Sequence, residues 1–352
     1  MLHILQRALR LLLQGGHHGG VRSAAGPEVI AIGETMMMVT PVEPESLATA
    51  ELLRLHPGGA ESNVACHLAR LGVHAAWVSV LGDDVLGDRI ARTIEGHGVD
   101  TRWVSRDAAA PTGVYFKDPG HGVLYYRAAS AASRMCADTV AAVPLEDAAV
   151  VHLSGITPAL SATCAELIDS VFERVAASPA RLSFDVNYRP ALWAPGSAAP
   201  ALLALAERAD IVFVGLDEAN ALWGAATPEE VRALLPTPAR LVVKDGDVGA
   251  TEFGQEVRVF VPAIATEVIE AIGAGDAFAA GYLAAMLKGA SAAERLGAGH
   301  ERARLVLRST SDFIVEEEVE QREQELHALA ASGAVDTGAG GAAHSQHGKG
   351  AI

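Results

Sequence analysis

Short apolar runs alternate along the chain with longer stretches in which apolar residues recur every three or four positions. Residues 29–33, 76–81, 149–153, 182–186, 211–214 and 241–243 are almost continuously apolar. Strands buried on both faces read this way. Val64, Leu68 and Leu71 follow the i, i+4, i+7 spacing of a helix, and 160–175, 201–208 and 277–287 have the same character. Strands alternating with helices predict an α/β fold: a central, mainly parallel sheet flanked by helices. Two stretches depart from this rhythm. Residues 34–56 and 101–127 alternate apolar and polar positions and contain turn signals such as Asp118-Pro119-Gly120. They predict extra antiparallel strands outside the main sheet, forming a small β lid over one edge.

In an open parallel sheet, ligands bind beyond the carboxyl ends of the strands. The residues that follow the predicted strands are Gly33-Glu34, Ser154-Gly155, Asn187-Tyr188-Arg189, Gly215 to Glu218 and Lys244-Asp245-Gly246. Polar and glycine residues gather there, although ordinary loops would look similar.

The ends of the chain read differently. Residues 1–27 hold Arg7, Arg10 and Arg22 between short leucine runs. They are too interrupted to span a bilayer and lack the unbroken apolar core of a signal peptide. They predict an extension without a structural role. Residues 331–352 are rich in Gly, Ala, Ser and His, cannot bury a core, and predict a disordered tail. Residues 28–330 form the predicted domain.

Composition narrows the function. The 352 residues carry 27 Lys+Arg against 43 Asp+Glu, a formal net charge of −16. Such a chain repels polyphosphate and anionic lipid, which disfavours nucleic-acid and membrane partners and favours a small molecule. Cys66, Cys136 and Cys164 form no CxxC pair, so neither a disulfide framework nor a zinc cluster is signalled. A reduced, cytoplasmic setting fits.

The sharpest motif is Gly273-Ala274-Gly275-Asp276-Ala277-Phe278, opening a helix near Asp276. Small residues let a phosphate approach the backbone, and the helix N-terminus holds negative charge. An Asp there repels an anion, but it suits a base that takes the proton of a hydroxyl attacking the bound phosphate. An N-cap Asp after a flexible turn reads equally well. A second glycine pair opens another helix in Gly58-Gly59-Ala60-Glu61-Ser62-Asn63, whose polar first turn suits a polyhydroxylated ligand or plain capping. Arg127, in Tyr125-Tyr126-Arg127, and Arg189 suit a substrate carboxylate or phosphate, or pairing with nearby acids. Lys244 to Gly249 is a strand-end turn whose backbone suits nucleotide phosphates. No Walker sequence, protein-kinase signature or Gly-x-Gly-x-x-Gly after the first strand occurs.

Together, Gly58-Gly59-Ala60-x-x-Asn63-Val64-Ala65 and Gly273-Ala274-Gly275-Asp276-Ala277-Phe278-Ala279-Ala280-Gly281 resemble the two signatures of the PfkB/ribokinase family of sugar kinases. The resemblance spans about residues 28 to 315. Gly33-Glu34-Thr35-Met36, Pro111 to Tyr115, Tyr125 to Ala128, Leu153 to Leu160 and Phe184 to Arg189 look most like the 2-keto-3-deoxygluconate kinases of that family.

The resemblance implies a ribokinase-like fold and ATP-dependent phosphorylation of the sugar acid to its 6-phosphate. Asp276 would be the base, and the amides of Gly273, Ala274 and Gly275 the anion hole. The sugar acid would meet Gly59, Ala60, Glu61, Ser62, Asn63, Tyr115, Tyr125, Arg127, Arg189 and Asp312. ATP would lie along Asn187, Lys244, Gly246, Asp247 and Gly249, the glycines of the anion loop, and His300. Mg²⁺ would be held partly through water on Glu218, with a monovalent cation nearby. Pairing of lids between subunits implies a homodimer or higher homo-oligomer. The chain departs from the family pattern at Glu270, where Asp is usual, and at Gly215, where the Asn of Asn-x-x-Glu is replaced. It departs again at His300, which replaces an Asn, and at Ser311-Asp312, which replaces Gly-Asp. These positions concern nucleotide and ion binding; an active enzyme is expected, the alternatives being another sugar kinase of the family, a fructokinase or ribokinase, or a non-catalytic ligand-binding relative.

Overall fold

A computed structural model describes residues 26–254, 257–269 and 271–309. In chain order its strands are β1 (Val29–Ile32), β2 (Met36–Pro41), β3 (Leu53–Gly58), β4 (Ala75–Gly82), β5 (Asp100–Asp107), β6 (Val114–Asp118) and β7 (Gly122–Tyr126). They continue with β8 (Val150–Ser154), β9 (Arg181–Asp185), β10 (Ile211–Gly215), β11 (Arg240–Asp245), β12 (Gly249–Phe253) and β13 (Arg258–Pro262). The α-helices are α1 (Ala60–Arg70), α2 (Val85–Gly96), α3 (Ala162–Ala176), α4 (Ala198–Arg208), α5 (Leu216–Trp223), α6 (Pro228–Leu234), α7 (Ala274–Leu287) and α8 (Ala292–Leu307).

The main sheet has the order β13-β12-β11-β10-β9-β8-β1-β4-β5. From β11 to β5 every pairing is parallel, and β12 and β13 close one edge as antiparallel strands. Alternate residues feed two cores. Ile30, Ile32, Leu153, Phe184 and Val214 pack with Leu167, Ile168 and Val171 of α3. Val29, Ala31, Phe213 and Val242 pack with Val64 and Leu68 of α1 and with Phe278, Tyr282 and Leu283 of α7. Burial on both faces removes any need for polar alternation, which is why these strands read as unbroken apolar runs. Each such side chain stabilises the fold by about 1.5–3 kcal/mol.

The second sheet, β3-β2-β6-β7, is the lid. Two expectations need correction here. Residues 101–127 do not all belong to the lid, because β5 joins the main sheet beside β4. As an edge strand it is only half covered, and its mixture of polar and apolar residues reads like a lid strand. Nor is the lid wholly antiparallel: β2 and β6 run parallel, while β2–β3 and β6–β7 are antiparallel.

Strand order reverses at β1, whose neighbours are β4 and β8. This switch point opens a crevice beyond the carboxyl ends of β1 and β8. Residues 1–25, the 331–352 tail, Glu270 and Asp312 lie outside the described residues.

Candidate active site

The α-helix starts differ in their caps, and α1, α4, α5 and α7 have no side-chain cap. Side chains cap α2 (Asp84), α3 (Ser161), α6 (Thr227) and α8 (Ser291). By contrast, α1 begins on Gly59 and α7 on Gly273, with no side-chain cap on either. Gly273 adopts φ +83°, the left-handed region that favours glycine. An uncapped first turn leaves backbone N–H groups for an anion. The helix starts at Ala274, so Asp276 lies inside the first turn and is not its N-cap. The Ala274 N–H turns back to the Ala271 carbonyl at 3.3 Å.

These two starts meet. Asn63 Nδ2 donates to Asp276 Oδ2 at 2.8 Å. Lys244 reaches in from the end of β11, its Nζ 3.1 Å from Asp185 Oδ2 at the end of β9. A Cβ on Gly275 would stand 3.4 Å from the same Nζ, so the ammonium lies beside the first turn of α7. Glu218 takes the Tyr188 N–H at 2.7 Å and the Gly215 N–H at 2.8 Å. Asn187 holds φ +40°, strained for a residue with a side chain, and its buried Oδ1 has no partner. Arg189 is exposed at the mouth and donates to the Tyr188 carbonyl at 3.1 Å.

The charges are coupled. Burial lifts the Asp276 carboxyl to about 7; Asp185 adds to the rise, while the Asn63 bond, Arg189 and Lys244 oppose it. Burial works against the Lys244 charge, but Asp185, Glu218 and Asp276 outweigh it and hold the amine above its usual value. Burial raises Glu218, against the pull of Lys244. A carboxylate poised near neutrality, hydrogen-bonded and beside an open helix N-terminus, can accept a proton from a hydroxyl at a phosphoryl group.

Several expected residues sit differently. The side chains of Glu61 and Ser62 do not line the cleft. Glu61 Oε1 takes the Ser154 N–H, the Ser154 hydroxyl and the Thr157 hydroxyl, plugging the crevice between β1 and β8. A Cβ on Gly33 would lie 2.1 Å from this carboxyl, so only glycine fits there. Ser62 is buried and accepts from Thr35 Oγ1 at 2.7 Å. The polar first turn of α1 thus serves the interior, except for Asn63. The Lys244 side chain turns inward to Asp185 and does not follow the strand-end turn. Arg127 pairs with buried Glu34. Tyr115 and Tyr125 stack at 5.7 Å, and Arg127 lies over the Tyr125 ring. The Tyr115 hydroxyl lies against Gly58, bringing the lid to the start of α1.

Gly246, Asp247 and Gly249 form the β11–β12 turn, with Gly246 at φ +47°. Gly249 and His300 both abut the Val261 carbonyl; His300 Nε2 lies 3.1 Å from it, and the ring packs edge-on against Phe278. Burial lowers the His300 pKa, so this imidazole is neutral at pH 7. Asp185 and Glu34 were not singled out from the sequence. The available signal was an acid at the end of an apolar strand, Asp185 as the last residue of β9 and Glu34 just past β1 and Gly33. Among the described residues, no three His, Cys, Asp or Glu side chains converge on a point that could hold a metal. Glu218, with backbone amides on both oxygens, suits a cation held through water and phosphate oxygens.

The profile of the pfkB family carbohydrate kinases matches residues 27–317. The chain belongs to the PfkB family. This kinase is 34% identical over 285 residues to the 2-dehydro-3-deoxygalactonokinase of Haloferax volcanii, covering 74% of this chain and 85% of that one. It is 33% identical to the 2-dehydro-3-deoxygluconokinase of Bacillus subtilis, covering 81% and 91%. Fructokinase-1 of Zea mays is also 33% identical, covering 75% and 85%. The crystal structure of a PfkB protein from Polaromonas sp. JS666 superposes with a TM-score of 0.75 at 34% identity, covering 82% and 98%. The PfkB kinase described here is an ATP-dependent sugar kinase with the ribokinase-like fold.

Proposed function

We propose that the kinase phosphorylates 2-keto-3-deoxygluconate, or its galacto epimer, at the terminal hydroxyl. The observation that carries the chemistry is the Asn63–Asp276 contact at the uncapped start of α7. Asp276 takes the hydroxyl proton, the sugar oxygen bonds to the γ-phosphorus, and the bond to the β-phosphate oxygen breaks. The amides at Gly273 to Gly275 stabilise the charge on the transferring group. The Asn63 amide fixes Asp276, and its unpartnered Oδ1 is free to accept from a sugar hydroxyl. ATP lies over the β11–β12 turn towards His300. Glu218 would hold Mg²⁺ through water, and the ion would supply screening of the phosphate charge. A monovalent cation belongs to the same reading.

Arg189, which makes no ion pair among the described residues, supports an acid sugar, as do the relatives named for keto-deoxy acids. The maize fructokinase likeness favours a second reading, a neutral ketose. The exposed lid residues Leu124 and Tyr126 support pairing of two lids in a homodimer. Two of the three free cysteines are buried, which suits a reducing, cytoplasmic setting.

The test is ADP release with Mg·ATP and 2-keto-3-deoxygluconate, its galacto epimer, fructose, ribose or adenosine. Asp276→Asn is the control. Turnover of the keto-deoxy acids alone, abolished in the variant, is the expected result. Turnover confined to fructose or ribose would overturn the acid reading and leave the chemistry intact.

A further inference from the structure

Glu34 follows β1 after Gly33, and its side chain is fully buried. One carboxylate oxygen takes the Ser130 hydroxyl at 2.6 Å; the other pairs with an Nη of Arg127. A Cβ on Gly113 would stand 3.1 Å from the same carboxylate, and one on Gly59 would stand 2.4 Å from the Glu34 carbonyl. Glu34 therefore joins the lid to the start of α1, one turn before Asn63.

A lone carboxylate in this wall would repel an anionic sugar. Paired with the Arg127 guanidinium it forms an ion pair with no net charge. The guanidinium then offers the cleft no net charge. What it retains is a directed donor, because its buried Nε has no partner. Arg189 differs. It is exposed, donates to the Tyr188 carbonyl and makes no ion pair among the described residues.

We propose that Glu34 is a specificity-determining residue that cancels the charge of Arg127. Arg127 then orients the sugar through its N–H groups, and Arg189 alone supplies the net positive charge that selects an acid. This inference rests on the acid-sugar reading above.

The test compares KM for 2-keto-3-deoxygluconate with KM or Ki for its methyl ester, which has the same shape without the charge. The full chain is assayed as wild type, Glu34→Gln, Arg127→Gln, the double variant and Arg189→Gln. Glu34→Gln unmasks Arg127 and should lower the acid-to-ester ratio by about tenfold, the scale of one poorly screened charge at contact range. Arg127→Gln strands the Glu34 carboxylate and should raise the ratio. The double variant should restore it, because both partners are then neutral. Arg189→Gln, at an exposed position that does not threaten folding, should erase the acid preference. The same ratio in every variant would overturn the proposal. So would Glu34→Gln weakening acid and ester equally, which would make Glu34 only a brace for the lid. Failure of the acid-sugar reading is distinguishable, because it appears in the wild type as turnover of neutral sugars without turnover of the acid.

Discussion

Asn63 and Asp276, 213 positions apart in the chain, share a hydrogen bond of 2.8 Å between the first turns of α1 and α7. The bond favours the charged carboxylate, while burial and the nearby Asp185 favour the neutral acid. Asn63→Leu removes the favourable donor. The acid limb of the pH–rate profile should move to higher pH, and kcat should fall by about tenfold as the base loses its orientation. A limb that stays in place would separate Asn63 from the base.

Asp276 itself should dominate the chemistry. The wild-type kcat/KM profile should fall below pH about 7, where the carboxyl becomes protonated. Asp276→Asn should cost about 10²–10⁴-fold in kcat. ATP affinity, measured by calorimetry, should change little.

Asp185 and Lys244 should move that limb in opposite directions. Lys244 lowers the Asp276 pKa and Asp185 raises it. Lys244→Met should shift the limb to higher pH and Asp185→Asn to lower pH. Each also strands a buried partner, so denaturant melts should show a loss of about 3–5 kcal/mol. Equal shifts in one direction would show that both act only through folding.

Glu61 predicts a pH dependence of stability. Burial raises its carboxyl to about 7 in the folded protein, above its value in the unfolded chain. The folded state therefore binds the extra proton between pH about 4.5 and 7, and stability falls as pH rises through that window. The loss is on the order of 3 kcal/mol when complete. Glu61→Gln keeps an acceptor for Ser154 and Thr157 and should flatten this slope in urea melts at a series of pH values.

The sheet was legible where strands are buried on both faces, since continuous apolar runs mark β1, β4 and β8 to β11. The edges were not. Strand β5 mixes polar and apolar residues because it is half covered, and it read as part of the lid. Strands β12 and β13 and helices α5, α6 and α8 were not picked out, nor was α2, although Leu86, Ile90 and Ile94 give it a clear i, i+4, i+8 spacing. Of the candidate site, Asp276 and the glycine loop were visible because small residues before an acid are an unusual way to start a helix. Glu61 and Ser62 carried the same local signal as Asn63, yet the structure turns them inward.

The sequence by itself determined the α/β layering, the two glycine-opened helices and the family, because these depend on local periodicity and contiguous motifs. Only the tertiary structure decided which polar residues face the cleft and which charges meet. Helix rotation sends Asn63 to Asp276 and Glu61 into the β1–β8 crevice. Strand register at the sheet's carboxyl edge brings Lys244 onto Asp185, and the lid seats Arg127 on Glu34. Pairings between residues tens or hundreds of positions apart are set by packing, and no local pattern in the chain encodes them.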